Sequence, residues 1–414
     1  MSLPEGTKQK NVHLESLKID GNHSLSFVTI GQLPSSLKRL QLKKCEKLQY
    51  VFGDADETHT SSYSVIHEEN INTFLESLTV ESCPSLTCLS TRDQLPATLR
   101  YLYIYYCPKI TTVSRGQLPD SLQDLSIYLC PKVESITERF HNSMLLETIW
   151  ISSCANFESI PEGIHKLSRL RKIYINTCPS LVCFPEEGLP NTNLREFSIA
   201  DCENLKALPR GMQTLNSFCI SDCPSMKSFP EECFHTKLTK LEIGNLDMYE
   251  QLIQWGLPKL TSLTRLLIQD CPDVESFEIG MMLPTSLTHL TIYKFPKLKY
   301  LSSDGFQNLS SLIVCHGNWT RQLTGSSQNL EDAFVRSCLC DLCEDGYDNM
   351  QIKGYIFAWT HSVSWALSPF GVQKIRSRFA LFPIIETFWN SVKFVCDSAL
   401  DTQVPHGFDF GFTT

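Results

Sequence analysis

One nine-residue frame recurs along most of this chain: Leu, two residues, an aliphatic or Phe, one residue, Ile, Val or Leu, two residues, then usually Cys. Its first leucine falls at Leu14, Leu37, Leu75, Leu99, Leu122, Leu146, Leu170, Leu194, Leu215, Leu238, Leu263, Leu287 and Leu309. The steps are 21–25 residues, except for one of 38 between Leu37 and Leu75. A self-similar period of this length excludes a single globular core and requires stacked units, each unable to bury its own apolar face.

Within each copy the residues alternate, as Tyr103, Ile104 and Tyr105 do after Leu102, which is the period of a strand. One strand per copy, laid beside its neighbours at roughly 4.8 Å, stacks the aliphatic positions into ridges beneath a parallel sheet. The pattern is that of a leucine-rich repeat. The expected fold is an α/β repeat solenoid, a leucine-rich-repeat horseshoe with a concave parallel β-sheet and a mostly irregular convex side.

The ninth place holds Cys45, Cys83, Cys107, Cys130, Cys154, Cys178, Cys202, Cys223 and Cys271, half of the 18 cysteines, and Asn22 fills it in the first copy. These are read as structural thiols at a sharp turn off the strand, in preference to a metal array or a disulfide series. A Pro often follows, as after Cys83, Cys107, Cys130, Cys178, Cys223 and Cys271; lacking an amide proton, it ends the ladder and sends the chain to the convex side. A second Pro precedes several strands (Pro34, Pro96, Pro119, Pro284), and only a few convex stretches, such as 161–167, look helical.

Domain boundaries follow from where the frame starts and stops. Residues 1–13 form a lead-in, 14–314 the solenoid of about 13 repeats with an inserted acidic loop near 52–72, and 315–414 a non-repeat tail. The acids of the insert lack the alternating spacing of a calcium loop. In the tail, Cys338, Cys340 and Cys343 with Cys315 and His316 offer soft ligands, but the spacing fits no standard zinc finger. The uncharged stretch 354–373 is long enough to span a bilayer, yet Pro369 and Gly371 interrupt it, and no membrane span is expected.

The repeated CPSL, CPKI and CPKV phrases, the QLPSSL, QLPATL and QLPDSL lead-ins, SIPEGIHKLSRL and CFPEEGLP carry a closer likeness. Over roughly residues 14–312 the chain resembles the leucine-rich-repeat region of plant nucleotide-binding leucine-rich-repeat disease-resistance proteins, of the coiled-coil class. The resemblance implies an intracellular immune-receptor segment that senses a pathogen effector or a guarded host protein, or contacts the receptor's nucleotide-binding domain. No phosphate-binding Gly-x-x-x-x-Gly-Lys-Ser/Thr loop precedes Leu14, so the nucleotide switch is expected to be lacking here.

Protein recognition is thus the expected function, with a generic intracellular adaptor, or an enzyme housed in the tail, as the alternatives. No catalytic constellation, cofactor site or metal site is assigned. The net charge of -9, from 45 acidic and 36 basic side chains, provides no basic footprint for nucleic acid. Residues 1–11 are polar and carry no apolar signal stretch, so a reducing, cytoplasmic or nuclear location is expected. The frame also says which side chains face the concave side. Aromatics crowd its middle, and Tyr101, Tyr103, Tyr105, Tyr128, Trp150 and Tyr174 form the candidate partner-binding patch, because rigid aromatics supply contact area at low entropy cost.

Overall fold

The computed structural model describes residues 13–29, 33–53, 74–91, 94–226, 235–244, 249–250, 252–253, 256–277, 283–298, 300–301 and 309–315. The lead-in before 13, the body of the acidic insert, the cysteine cluster at 338–343 and the apolar stretch 354–373 lie outside these residues.

Among the described residues, thirteen five-residue strands make one sheet in chain order: Ser16–Asp20, Arg39–Lys43, Ser77–Glu81, Tyr101–Tyr105, Asp124–Tyr128, Thr148–Ser152, Lys172–Asn176, Glu196–Ala200, Ser217–Ser221, Lys240–Gly244, Arg265–Gln269, His289–Tyr293 and Ser311–Cys315. Every neighbouring pair is parallel, and the register matches frame position to frame position, as in Leu78 with Leu102, Leu102 with Leu125 and Leu125 with Ile149. The fold is therefore the leucine-rich-repeat solenoid that the period predicts. Period-2 alternation puts the aliphatics of each strand inward, where Leu102, Ile104, Ile127 and Ile151 are fully buried. In the first described strand Leu17 and Ile19 are only partly buried, as befits an outermost rung with one described neighbour.

Eleven of the thirteen strands end in the same way among the described residues. The eighth residue of the frame takes a left-handed backbone conformation: Lys44, Ser82, Tyr106, Leu129, Ser153, Thr177, Asp201, Asp222, Asp270 and Lys294 all have φ between 50 and 56°. Gly21 adopts that conformation freely and Asp201, Asp222 and Asp270 tolerate it, but for most of the others a β-carbon there costs about 1 kcal/mol. The conformation persists because its amide extends the ladder by one bond: Ser82 N–H donates to Tyr105 O, Tyr106 to Tyr128 O and Leu129 to Ser152 O, at 2.9–3.0 Å. The turn then drops the ninth residue beneath the sheet.

All nine ninth-place cysteines are buried free thiols. Each donates to the carbonyl of the residue two before it at 3.2–3.5 Å, as Cys107 does to Tyr105 and Cys223 to Ser221. Burial pushes the thiols of Cys154 and Cys178 up to about 12, which keeps them protonated and unreactive near neutral pH. Asn22 performs the complementary task, its Oδ1 accepting from the amides of Ser24 and Leu25 at 2.9 Å. The Cys-Pro pairs open tight turns in which Leu86 N–H bonds to Cys83 O and Val133 N–H to Cys130 O, returning Leu86 and Val133 to the core.

The other side is mostly irregular, as expected, with only short paired strands and 3-10 turns among the described residues, and the helical look of residues 161–167 is realised as one 3-10 turn, Ile164–Lys166. Hydroxyls ahead of the strands tie each coil to the previous one: Ser36 Oγ donates to Leu14 O, Thr98 Oγ1 to Leu75 O and Ser286 Oγ to Leu263 O. The long step does not break the stack. Gln41 still registers with Thr79 on the sheet, and Tyr50–Phe52 pairs with Cys88–Ser90 on the other side.

Candidate functional site

On the outward face, registered strands line up three columns of side chains. The central one runs Lys18, Gln41, Thr79, Tyr103, Ser126, Trp150, Tyr174, Ser198, Cys219, Glu242, Leu267 and Thr291. Tyr101 sits in the column before it; Tyr105 and Tyr128, registered partners, sit in the column after it. All six predicted aromatics thus lie on one face, within four consecutive strands.

The structure divides them into two groups. In one, Tyr103 and Tyr105 stack at 6.1 Å between ring centroids with 17° between planes. Tyr128 belongs to it and meets a residue that the sequence reading missed: Tyr106 is 45% exposed and packs edge-on against Tyr128 at 5.5 Å. The eighth frame position reads as a mere turn, yet its left-handed backbone carries the Tyr106 ring to its neighbour's. In the other group, Trp150 and Tyr174 lie 5.1 Å apart and tilted by 40°. Trp150 is 42% exposed, whereas Tyr101, Tyr103, Tyr105, Tyr128 and Tyr174 are half-buried.

Between the two groups lies Ser126, registered with Tyr103 on one side and Trp150 on the other. Tyr103 and Trp150 are two strands apart, about 10 Å at the backbone, so the small Ser126 floors a notch with aromatic walls. Asp124 lies at one end of it, two residues back on the same strand. Tyr105 leans towards the floor, its hydroxyl 3.5 Å from Ser126 Oγ.

The polar atoms of the two walls are held differently. The Tyr174 hydroxyl donates to Glu196 Oε2, and Glu196 Oε1 is 2.9 Å from Lys172 Nζ, so Tyr174 is fixed within a three-member network. Burial, reinforced by the bond to Glu196, holds the Tyr174 phenol well above its ordinary range. Burial works against ionisation of Glu196 too, but the Tyr174 hydroxyl and the Lys172 ammonium outweigh it and lower the carboxyl. On the opposite wall, burial first and the Asp124 carboxylate second push Tyr103 up to about 12. Burial also raises Tyr105, with Ser126 opposing and Glu81 and Asp124 assisting. Every one of these phenols is a hydrogen-bond donor at neutral pH.

Past Tyr174 the face flattens into Ser198, Ala200, Cys219, Ser221 and Gly244. The Cys219 thiol, partly buried and beside Glu242, is pushed well above its usual range by desolvation and that carboxylate and is no nucleophile. Among the described residues no group of three or more His, Cys, Asp or Glu side chains is placed to hold a metal ion, and no helix is long and apolar enough to cross a membrane.

A rigid sheet with broad, exposed, unlike columns is the hallmark of a protein-interaction scaffold, and the chain has the leucine-rich-repeat form of it. No family model matches the sequence, and no curated protein matches it. Solved structures do resemble it in part. An internalin from Listeria monocytogenes is 14% identical, with 79% of this chain and 86% of that chain covered at a TM-score of 0.38. A leucine-rich repeat protein from Bacteroides ovatus is 16% identical, with 77% and 86% covered at a TM-score of 0.27. A plant peptide hormone receptor, RGFR1, in complex with RGF2, is 14% identical, with 80% and 86% covered at a TM-score of 0.18.

Proposed function

We propose that this chain is the protein-recognition module of a plant intracellular immune receptor, sensing a pathogen effector or a guarded host protein. The aromatic surface of Tyr101, Tyr103, Tyr105, Tyr128, Trp150 and Tyr174 is its contact patch. The observation that carries the reading is the gathering of these six rings on one outward face of a sheet whose other face is locked in the core. Large aromatics mounted on registered strands lose little conformational freedom on binding, which is why such residues dominate the energetics of protein interfaces. The plant immune assignment is supported by the CPSL, CPKI and QLPSSL-type phrases and by SIPEGIHKLSRL.

The domain division belongs to the same proposal: a solenoid over 14–314, an insert near 52–72 and a separate tail over 315–414, acting in the cytoplasm or nucleus. The test is affinity capture from healthy and infected plant tissue with the full chain, in parallel with a Tyr103→Ala/Trp150→Ala variant. A partner enriched by the parent and lost by the variant, with both proteins unfolding at nearly the same temperature, is the expected result. A partner retained equally by the variant removes the patch from the proposal, and capture confined to proteins unrelated to defence removes the immune role.

A further inference from the structure

We infer that the notch over Ser126 is a subsite for a basic side chain, best an arginine, presented by the protein partner. The inference rests on the reading of this face as a recognition surface and names the chemistry that its centre selects.

Asp20, Glu81, Asp124 and Glu196 are the carboxylates in the outward columns from the first strand to the Glu196–Ala200 strand. Asp20 has Lys18 at 3.0 Å, Glu81 pairs with Lys43, and Glu196 has both Lys172 and Tyr174. Among the described residues Asp124 has neither a salt bridge nor a side-chain hydrogen bond. Its registered neighbours are Tyr101 and Thr148, neither of which can neutralise it. It nonetheless stands near enough to Tyr103 and Tyr105 to disfavour the ionisation of both phenols. Asp124 therefore presents its carboxylate without a cationic partner among the described residues, beside partly buried aromatic rings.

The notch has the Tyr103 and Tyr105 pair on one side, the Trp150 and Tyr174 pair on the other, and Ser126 below. The strand backbones that flank Ser126 lie about 10 Å apart and carry rings, so the space between them admits one extended side chain but not a helix. A cation over an indole or phenol ring is attracted by the ring's negative face, and Trp is the strongest such partner. A planar guanidinium can lie against the rings while its N–H groups reach the carboxylate of Asp124 and the hydroxyl of Ser126. A carboxylate or phosphate there would meet Asp124 and be repelled. The wall residues are also fixed in advance: Tyr174 is held by Glu196, and Tyr105 stacks on Tyr103 with its hydroxyl at Ser126.

The experiment follows the Trp150 indole N–H resonance in the full chain, assigned with Trp150→Phe. Three capped tripeptides, Gly-Arg-Gly, Gly-citrulline-Gly and Gly-Leu-Gly, are added at low ionic strength. Citrulline keeps the shape of arginine and removes its charge. The expected result is a saturable shift with the arginine peptide, an affinity at least about fivefold above that for the citrulline peptide, and weakening by added salt. Asp124→Asn should erase the difference between the two peptides, and Ser126→Leu, which fills the floor, should remove the arginine shift. Equal affinity for arginine and citrulline, or unchanged arginine affinity in Asp124→Asn, overturns the inference. If the leucine peptide moves Trp150 as strongly as arginine does, the cation subsite falls but the recognition surface stands. If none of the three moves it, both fall.

Discussion

On the inward face of the sheet Leu78, Leu102, Leu125, Ile149 and Ile173 succeed one another through registered strands as near copies, all fully or almost fully buried. One residue further along each strand, Thr79, Tyr103, Ser126, Trp150 and Tyr174 share an orientation and little else. The inward column must satisfy the rung above and the rung below, which forces uniformity. The outward column carries no such demand for uniformity, so it is free to vary with a partner. Stability and recognition are thus written in alternate letters of the same strand. Truncating adjacent residues of one strand separates the two roles. Ile127→Ala, between Ile104 and Ile151, should cost about 3 kcal/mol in denaturant unfolding and loosen both neighbouring rungs. Ser126→Ala, one position earlier, should stay within about 0.5 kcal/mol. Equal losses would mean that the two faces are not energetically separate.

The outward face yields the converse test. Trp150→Ala removes the most exposed ring of the proposed patch while leaving the fixed Tyr174 network beneath it. Its expected cost is about 2 kcal/mol in affinity for a captured partner and less than about 1 kcal/mol in folding stability. Titration calorimetry with that partner, beside thermal unfolding, separates the two numbers. A stability loss as large as the affinity loss would make Trp150 a structural residue.

How much of this was legible beforehand divides along the same line. The strands, their register and the outward columns follow from the spacing of leucines, because the period-2 alternation of a registered ribbon leaves no freedom in which side chains share a face. The buried cysteine ladder was legible for the same reason. The left-handed residue ahead of each cysteine was not: Lys44, Ser82, Leu129 and Thr177 have no local preference for it, and the ladder bond to the next strand imposes it. Hence Tyr106 was missed. Nor could spacing reveal that the six rings separate around Ser126, or that Tyr174 is tied to Glu196. Those depend on where side chains turn after leaving the backbone, which a column of letters does not record.

The tyrosines extend the comparison to pH. Tyr103 titrates near 12 in the folded chain, and Tyr105 and Tyr174 are raised as well, against about 10 for an exposed phenol. Between those values the unfolded chain releases protons that the folded one retains, so the stabilising effect is complete below pH 10 and is lost as the pH rises towards 12. Unfolding midpoints measured from pH 8 to pH 12 should fall over the upper half of that range, and Tyr103→Phe should flatten the fall. An unchanged slope would show that Tyr103 is not held protonated by its surroundings.

The smallest effect lies where the two faces meet, at the eighth frame position. Lys44 is exposed with φ of 51°, so its side chain contributes little packing while its β-carbon opposes the conformation. Lys44→Gly removes the steric cost of about 1 kcal/mol, and the greater freedom of glycine in the unfolded chain returns part of it. A net gain of about 0.5 kcal/mol in the denaturant midpoint is expected. Leu129→Gly offers the contrast, because Leu129 is half-buried and its lost contacts oppose the relief. If Lys44→Gly instead destabilises, the turn is held by the lysine side chain and not by the amide ladder, and the reason given for its recurrence in ten different residues would have to be abandoned.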